Sequence, residues 1–183
     1  ASLAKMMTLY LLFEALDDGR VRLDEEIPVS AFAASRPPSK MGIKRGGSID
    51  ARSAVLALAV RSANDVAVAV AERLAGSEEA FARAMTAKAR QLGMTGTVFR
   101  NASGLPDGDQ RTTARDMAVL AMALRSRFPH HYHYFANREF AFGGRIVRGH
   151  NSLLGRIPGV DGLKTGYIRA SGFNLATSAG RGG

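Results

Sequence analysis

The chain has 183 residues, 46% of them hydrophobic and none of them cysteine, which supports one domain with its own core and excludes disulfides and thiolate metal sites. Lys and Arg outnumber Asp and Glu by 25 to 16, and the net charge of +9 suits an anionic polymer or surface as partner. These basic residues are dispersed, without lysine runs or interleaved aromatics, so nucleic acid is not expected.

Ser2 and Lys5 stand three residues apart and share one face of a helix. Met6 to Leu16 is apolar nearly all round, which predicts a helix buried at a domain centre; with Glu14 inside it, the segment is too short for a membrane span. Asp17-Asp18-Gly19 ends it, with Gly19 suited to a left-handed cap. Val21 to Gly47 reads as a long irregular stretch broken by Pro28, Pro37-Pro38 and Gly46-Gly47. Ser48-Ile49-Asp50 offers caps for an alanine-rich helix over Ala51 to Val60. Ser62-Ala63-Asn64 falls in the break that follows, with Asp65 capping a helix over Val66 to Leu74. Ser77-Glu78-Glu79 opens another helix that Gly93 ends, and Thr113 opens one that runs to about Arg127. Glu25-Glu26 and Glu78-Glu79 read as solvated charges.

From Glu139 the hydrophobic period shortens. Phe140-Ala141-Phe142 and Arg145-Ile146-Val147 flank Gly143-Gly144 as a hairpin. Gly162 to Thr165 and Phe173 to Ala179 read as strands, with a turn from Gly166 to Gly172. Before them, His130-His131-Tyr132-His133 is tempting as a metal cluster. Adjacent histidines share no helical face and no carboxylate is expected nearby, so no metal and no cofactor is expected.

Three short motifs carry chemistry together: Ser2-Leu3-Ala4-Lys5, Ser62-Ala63-Asn64 and Lys164-Thr165-Gly166. Singly, each is more often a helix-capping serine, a solvated lysine or a strand end. In this order they match the S-x-x-K, S-x-N and K-T-G set of penicillin-binding proteins and serine β-lactamases. A serine hydroxyl is a weak nucleophile until a base takes its proton. Lys5 is the nearest base, yet a free lysine has a pKa of about 10.4. Burial and a second cation, for which Lys164 is the candidate, both push it toward neutrality. Ser62 can relay a proton, and Asn64 can hold a substrate amide or Lys5 itself.

Beyond these motifs the chain resembles the serine-type D-alanyl-D-alanine carboxypeptidases of peptidase S11 type, the low-molecular-mass penicillin-binding proteins. Ala1 to Thr8, Arg61 to Ala67, Asn101 to Asp107, Thr113 to Ala118, Gly159 to Tyr167 and Ala170 to Leu175 are similar to that family's segments, in order along the chain. Ile168 departs from the small hydroxyl residue many relatives carry there. The resemblance implies an α/β fold of α+β type, β-lactamase/transpeptidase-like and α-β-α in layers. Its mainly antiparallel sheet (about 139–183) and helical part (about 48–128) would flank the cleft. It also implies flanking strands before Ala1 and after Arg181-Gly182-Gly183, so that residues 1–183 form a partial catalytic domain with an unpaired sheet edge.

By the same resemblance the catalytic residues are Ser2, Lys5, Ser62 and Asn64. Lys164, Thr165 and Gly166 bind the substrate, the Ser2 and Tyr167 amides form the oxyanion hole, and Arg148 and His150 are further candidates for positive charge. The implied partners are peptidoglycan stem peptides and β-lactams. The implied place is the bacterial periplasm or envelope, with membrane attachment through a C-terminal segment beyond this chain. Two alternatives stay open: a serine β-lactamase of the same fold, and a non-catalytic wall-binding fragment.

Overall fold

In the computed structural model, which describes residues 1–180, the helix after Ser2 lies at the centre. The last three residues of the expected sheet part, 181–183, lie outside the described residues. A 3-10 turn over Ser2–Ala4 runs directly into α1 (Lys5–Asp17), and 9 of the 13 residues of α1 are buried, on every face of the helix. All-round apolarity therefore produces all-round burial, which is what a core helix requires. No helix among the described residues is long and apolar enough to cross a membrane.

The stretch read as irregular contains two small elements, β1 (Glu26–Pro28) and α2 (Ala31–Ala34), which corrects the reading of Val21 to Gly47. Both are too short for periodicity to reveal; β1 exists only because β2 (Ser48–Asp50) pairs with it, Ile27 opposite Ile49. Asp50 nevertheless caps the next helix, accepting a hydrogen bond from the Ser53 amide. That helix, α3 (Ala51–Leu56), widens into a π-helical turn over Ala57–Arg61. The turn closes when the Ala63 amide donates to the Ala57 carbonyl, six residues back, at 3.0 Å. Ser62 follows with φ 62° and ψ 38°, in the left-handed region that serine rarely occupies.

Helix α4 (Asn64–Ala75) begins at Ala63, not at Asp65, so the expected cap is displaced. Asp65 is instead fully buried in the first turn and accepts the Met41 and Gly42 amides at 3.0 and 2.9 Å. Helices α5 (Glu78–Gln91) and α6 (Ala114–Arg127) start at Ser77 and Thr113, whose hydroxyls accept the Ala80 and Asp116 amides. Helices α4, α5 and α6 all pack on α1.

The β-rich end holds two more antiparallel pairs. Strands β3 (Glu139–Phe142) and β4 (Arg145–Arg148) form the hairpin expected around Gly143-Gly144, both with positive φ. Strands β5 (Val160–Ile168) and β6 (Gly172–Ala179) pair from Val160 opposite Ala179 to Ile168 opposite Gly172. The turn expected from Gly166 is therefore confined to residues 169–171. Gly166 stays extended, paired with Asn174, because its role is close approach and not reversal: a Cβ there would stand 3.0 Å from the Ser2 amide nitrogen.

Asp65 fixes the Met41-Gly42 loop against the start of α4. Replacing it by alanine strands two amides and is expected to cost about 3 kcal/mol. Urea denaturation of Asp65→Ala measures this; a loss below about 1 kcal/mol means that water replaces the carboxylate without penalty.

Candidate active site

Lys5 is fully buried, and its amine lies among three oxygens. Nζ donates to Asn64 Oδ1 at 2.7 Å and to the Ser103 carbonyl at 2.6 Å, and Ser2 Oγ stands 3.4 Å away. A neutral amine has two N–H groups and one lone pair. The two short bonds consume the N–H groups, so in the neutral form the lone pair faces the Ser2 hydroxyl, which then donates to it. Each partner is itself fixed. Asn64 donates from Nδ2 to the Pro37 carbonyl at 2.9 Å, and its backbone amide donates to Ser39 at 2.7 Å. The Ser103 segment is held by Thr8, one helical turn beyond Lys5, whose hydroxyl donates to the Ala102 carbonyl at 2.7 Å.

Sequence reasoning gave no role to this Ser103 segment. Gly104 carries a signal in retrospect: it has φ 82°, and a Cβ there would lie 2.0 Å from the Ala1 carbonyl oxygen, so only glycine fits. Glu78 also departs from its reading as a solvated charge. Its carboxylate accepts the Ala102 amide at 3.0 Å, and burial raises its pKa despite that bond.

Ser2, Ser62, Asn64, His150, Thr165, Gly166 and the Tyr167 segment line one cleft of about 700 Å³. The Ser62 hydroxyl is buried and has no hydrogen-bond partner among the described residues. Holding its backbone in the left-handed region costs of the order of 1–3 kcal/mol. Lys164 lies behind the cleft wall, 2% exposed, and donates to the Thr165 carbonyl at 2.8 Å. Asn151, absent from the sequence candidates, also lines the cleft, and its Nδ2 is buried without a partner among the described residues. The exposed rings of Tyr167 and Phe173 pack at 4.6 Å on the cleft wall. Arg148 lines a separate hollow with Glu139, its partner at 3.4 Å, and is not among the residues lining this cleft. A second hollow of about 630 Å³ shares Leu105, Ile168 and Asn174 with the cleft but contains none of the motif hydroxyls.

A profile of peptidase S11, D-alanyl-D-alanine carboxypeptidase, matches residues 1–183. The chain belongs to this family. It is 35% identical over 187 residues to the D-alanyl-D-alanine carboxypeptidase DacF of Bacillus subtilis, covering 100% of this chain and 48% of the relative. It thus spans about half the length of the curated relatives it matches. The fold is that of the D-alanyl-D-alanine carboxypeptidase DacD of Francisella tularensis, with a TM-score of 0.93 and 30% identity over 99% of this chain and 56% of that one. Penicillin-binding protein D2 of Listeria monocytogenes, solved in its ampicillin-bound form, superposes with a TM-score of 0.83 and 33% identity, covering 100% of this chain and 75% of that one.

In this member of the D-alanyl-D-alanine carboxypeptidase family, burial and then the charge of Lys164 hold Lys5 well below the ordinary lysine range, against the pull of Asp65 and Glu78. Burial lowers Lys164 from 10.5 to about 7. His150 is lowered by burial first, then by Arg61 and Lys164. The Lys164 shift has a sign that stability measurements can read. The unfolded chain binds this proton more readily than the folded one, so stability rises with pH between about 7 and 10.5. Lys164→Met removes that cost, and its stability advantage over the parent is expected to shrink by about 3 kcal/mol from pH 7 to pH 9.5. Urea denaturation of both proteins at the two pH values measures the change. An unchanging difference means that the folded amine stays charged throughout.

Proposed function

We propose that this chain carries the catalytic centre of a serine DD-peptidase, which removes the terminal D-alanine from peptidoglycan stem peptides through an acyl-enzyme on Ser2. The observation that carries the reading is the buried Lys5 amine set among the Asn64, Ser103 and Ser2 oxygens; in its neutral form the two short hydrogen bonds leave the lone pair for the Ser2 hydroxyl. Lys5 takes the Ser2 proton as Oγ attacks the carbonyl between the two D-alanines. The amides of Ser2 and Tyr167 receive the developing oxyanion, a role that the closeness of Gly166 to the Ser2 backbone supports. Ser62 relays the proton that Lys5 took to the departing amine as the C–N bond breaks, which leaves Lys5 neutral and Ser62 unchanged; its hydroxyl on the cleft wall, without a partner among the described residues, suits a relay. Thr165, on the cleft wall, meets the terminal carboxylate with Lys164 buried just behind it, and His150 lines the same cleft as a further hydrogen-bond donor. Water then hydrolyses the ester. Such a substrate places the activity in the bacterial cell envelope.

β-Lactams acylate the same serine and stay attached. The ampicillin-bound relative supports this extension. So does the position of the glutamates between the second and third motifs, which a β-lactamase of this fold would draw on to activate water: none is among the residues lining the cleft. Glu72 accepts from Ser30, Glu78 from the Ala102 amide and Glu79 from Arg83, and Glu139 pairs with Arg148.

Incubating the intact protein with benzylpenicillin and measuring its mass is expected to give one stable adduct, mapped to the peptide containing Ser2. Ser2→Ala abolishes it, and Lys5→Ala slows its formation by about 10³-fold. An adduct that survives Ser2→Ala overturns the assignment, and rapid turnover of a chromogenic cephalosporin moves it to the β-lactamase.

A further inference from the structure

The C-terminal end of α1 carries a cluster that the catalytic reading leaves unused. Asp17, the last residue of α1, accepts hydrogen bonds on one oxygen, Oδ1, from His130 Nε2 at 2.9 Å and from His131 Nε2 at 2.8 Å. This corrects the expectation that no carboxylate lies near the histidines; Asp17 is distant only in sequence. Consecutive histidines on a helix diverge, but here the chain turns between α6 and the 3-10 segment Tyr132–Ala136, and both rings swing toward α1.

We propose that Asp17, His130 and His131 form a binding site for a divalent transition metal such as Zn²⁺, clamping the far end of the helix that begins with Lys5. One ligand atom from each of the three residues lies within 4.8 Å of the other two. Around one ion, bond lengths of about 2.1 Å separate tetrahedral donors by about 3.4 Å, so the two present hydrogen bonds need open by only about half an ångström. Two imidazoles and one carboxylate suit zinc, nickel or copper better than calcium or magnesium, which prefer oxygen alone. Binding replaces the proton each Nε2 now shares with Asp17. That proton leaves to solvent from a charged ring, or moves to Nδ1 in a neutral one.

Three independent features favour the site. The His131 ring is buried and stacked on Phe13 at 4.8 Å and 16°, so its direction is set before any ligand arrives. The C-terminus of α1 adds the negative end of a helix dipole, favourable to a cation. Asp17 and His130 remain partly exposed, leaving a path for the ion and room for a water as fourth ligand. His133 takes no part, because its Nδ1–H donates to the His130 carbonyl at 2.9 Å.

The test is calorimetric titration of the EDTA-treated intact protein with zinc chloride. One equivalent is expected to bind, with a rise in Tm of about 5 °C at a hundredfold excess over Kd. Asp17→Asn and His130→Ala each weaken binding at least about tenfold, as loss of a direct ligand should, while His133→Ala leaves it unchanged. These substitutions lie at partly exposed side chains, so they spare the buried His131 ring and its stacking. No uptake, or uptake equal in Asp17→Asn and the parent, overturns the proposal. Heat and Tm report the site independently of any activity at Ser2.

Discussion

Everything around the cleft follows from burying the Lys5 amine in an apolar helix. A charged ammonium there is unfavourable by several kcal/mol unless it is paired or gives up its proton. Among the described residues no carboxylate is in hydrogen-bond contact with it. The fold offers two neutral oxygens, from Asn64 and Ser103, and sets Lys164 near enough to oppose a second charge. The remote carboxylates of Asp65 and Glu78 pull the other way, so the amine is held between two tendencies. A base poised to exchange a proton needs such a balance.

That balance depends on parts that are unremarkable one at a time. Asp65 anchors the Met41-Gly42 loop at the start of α4, beside Asn64; Thr8 and Glu78 hold the 102–103 segment from opposite sides. Gly166 lets β5 lie against the Ser2 turn. The left-handed backbone of Ser62 works against stability. It keeps a hydroxyl in the cleft wall without a partner of its own, as sites built for a transient partner often do.

Local pattern revealed α1, the caps at Ser77 and Thr113, and the Gly143-Gly144 hairpin, because each rests on contacts within a few residues. The three motifs were legible as chemistry because their residue types make sense only together. What stayed hidden depends on distant partners. Nothing in Glu26–Pro28 announces a strand until Ser48–Asp50 lies beside it, and nothing in Glu78 shows that its carboxylate holds the Ala102 amide. Asp17 and the histidines stand more than a hundred positions apart in sequence, beyond any motif spacing. Asp65 looked like a cap because acids favour first turns, and tertiary amides claimed it instead.

The bonds of Lys5 to Asn64 and Ser103 join residues 59 and 98 positions apart in the chain. Contacts of such separation carry a loop-closure cost that is repaid only as the fold assembles. Before that moment Lys5 is solvated and fully protonated, and Ser2 is an ordinary alcohol. The proposed nucleophile would thus be dormant in partly folded forms of the chain. In the proposed mechanism its reactivity would switch on with the native state, so that covalent capture at Ser2 would count folded molecules.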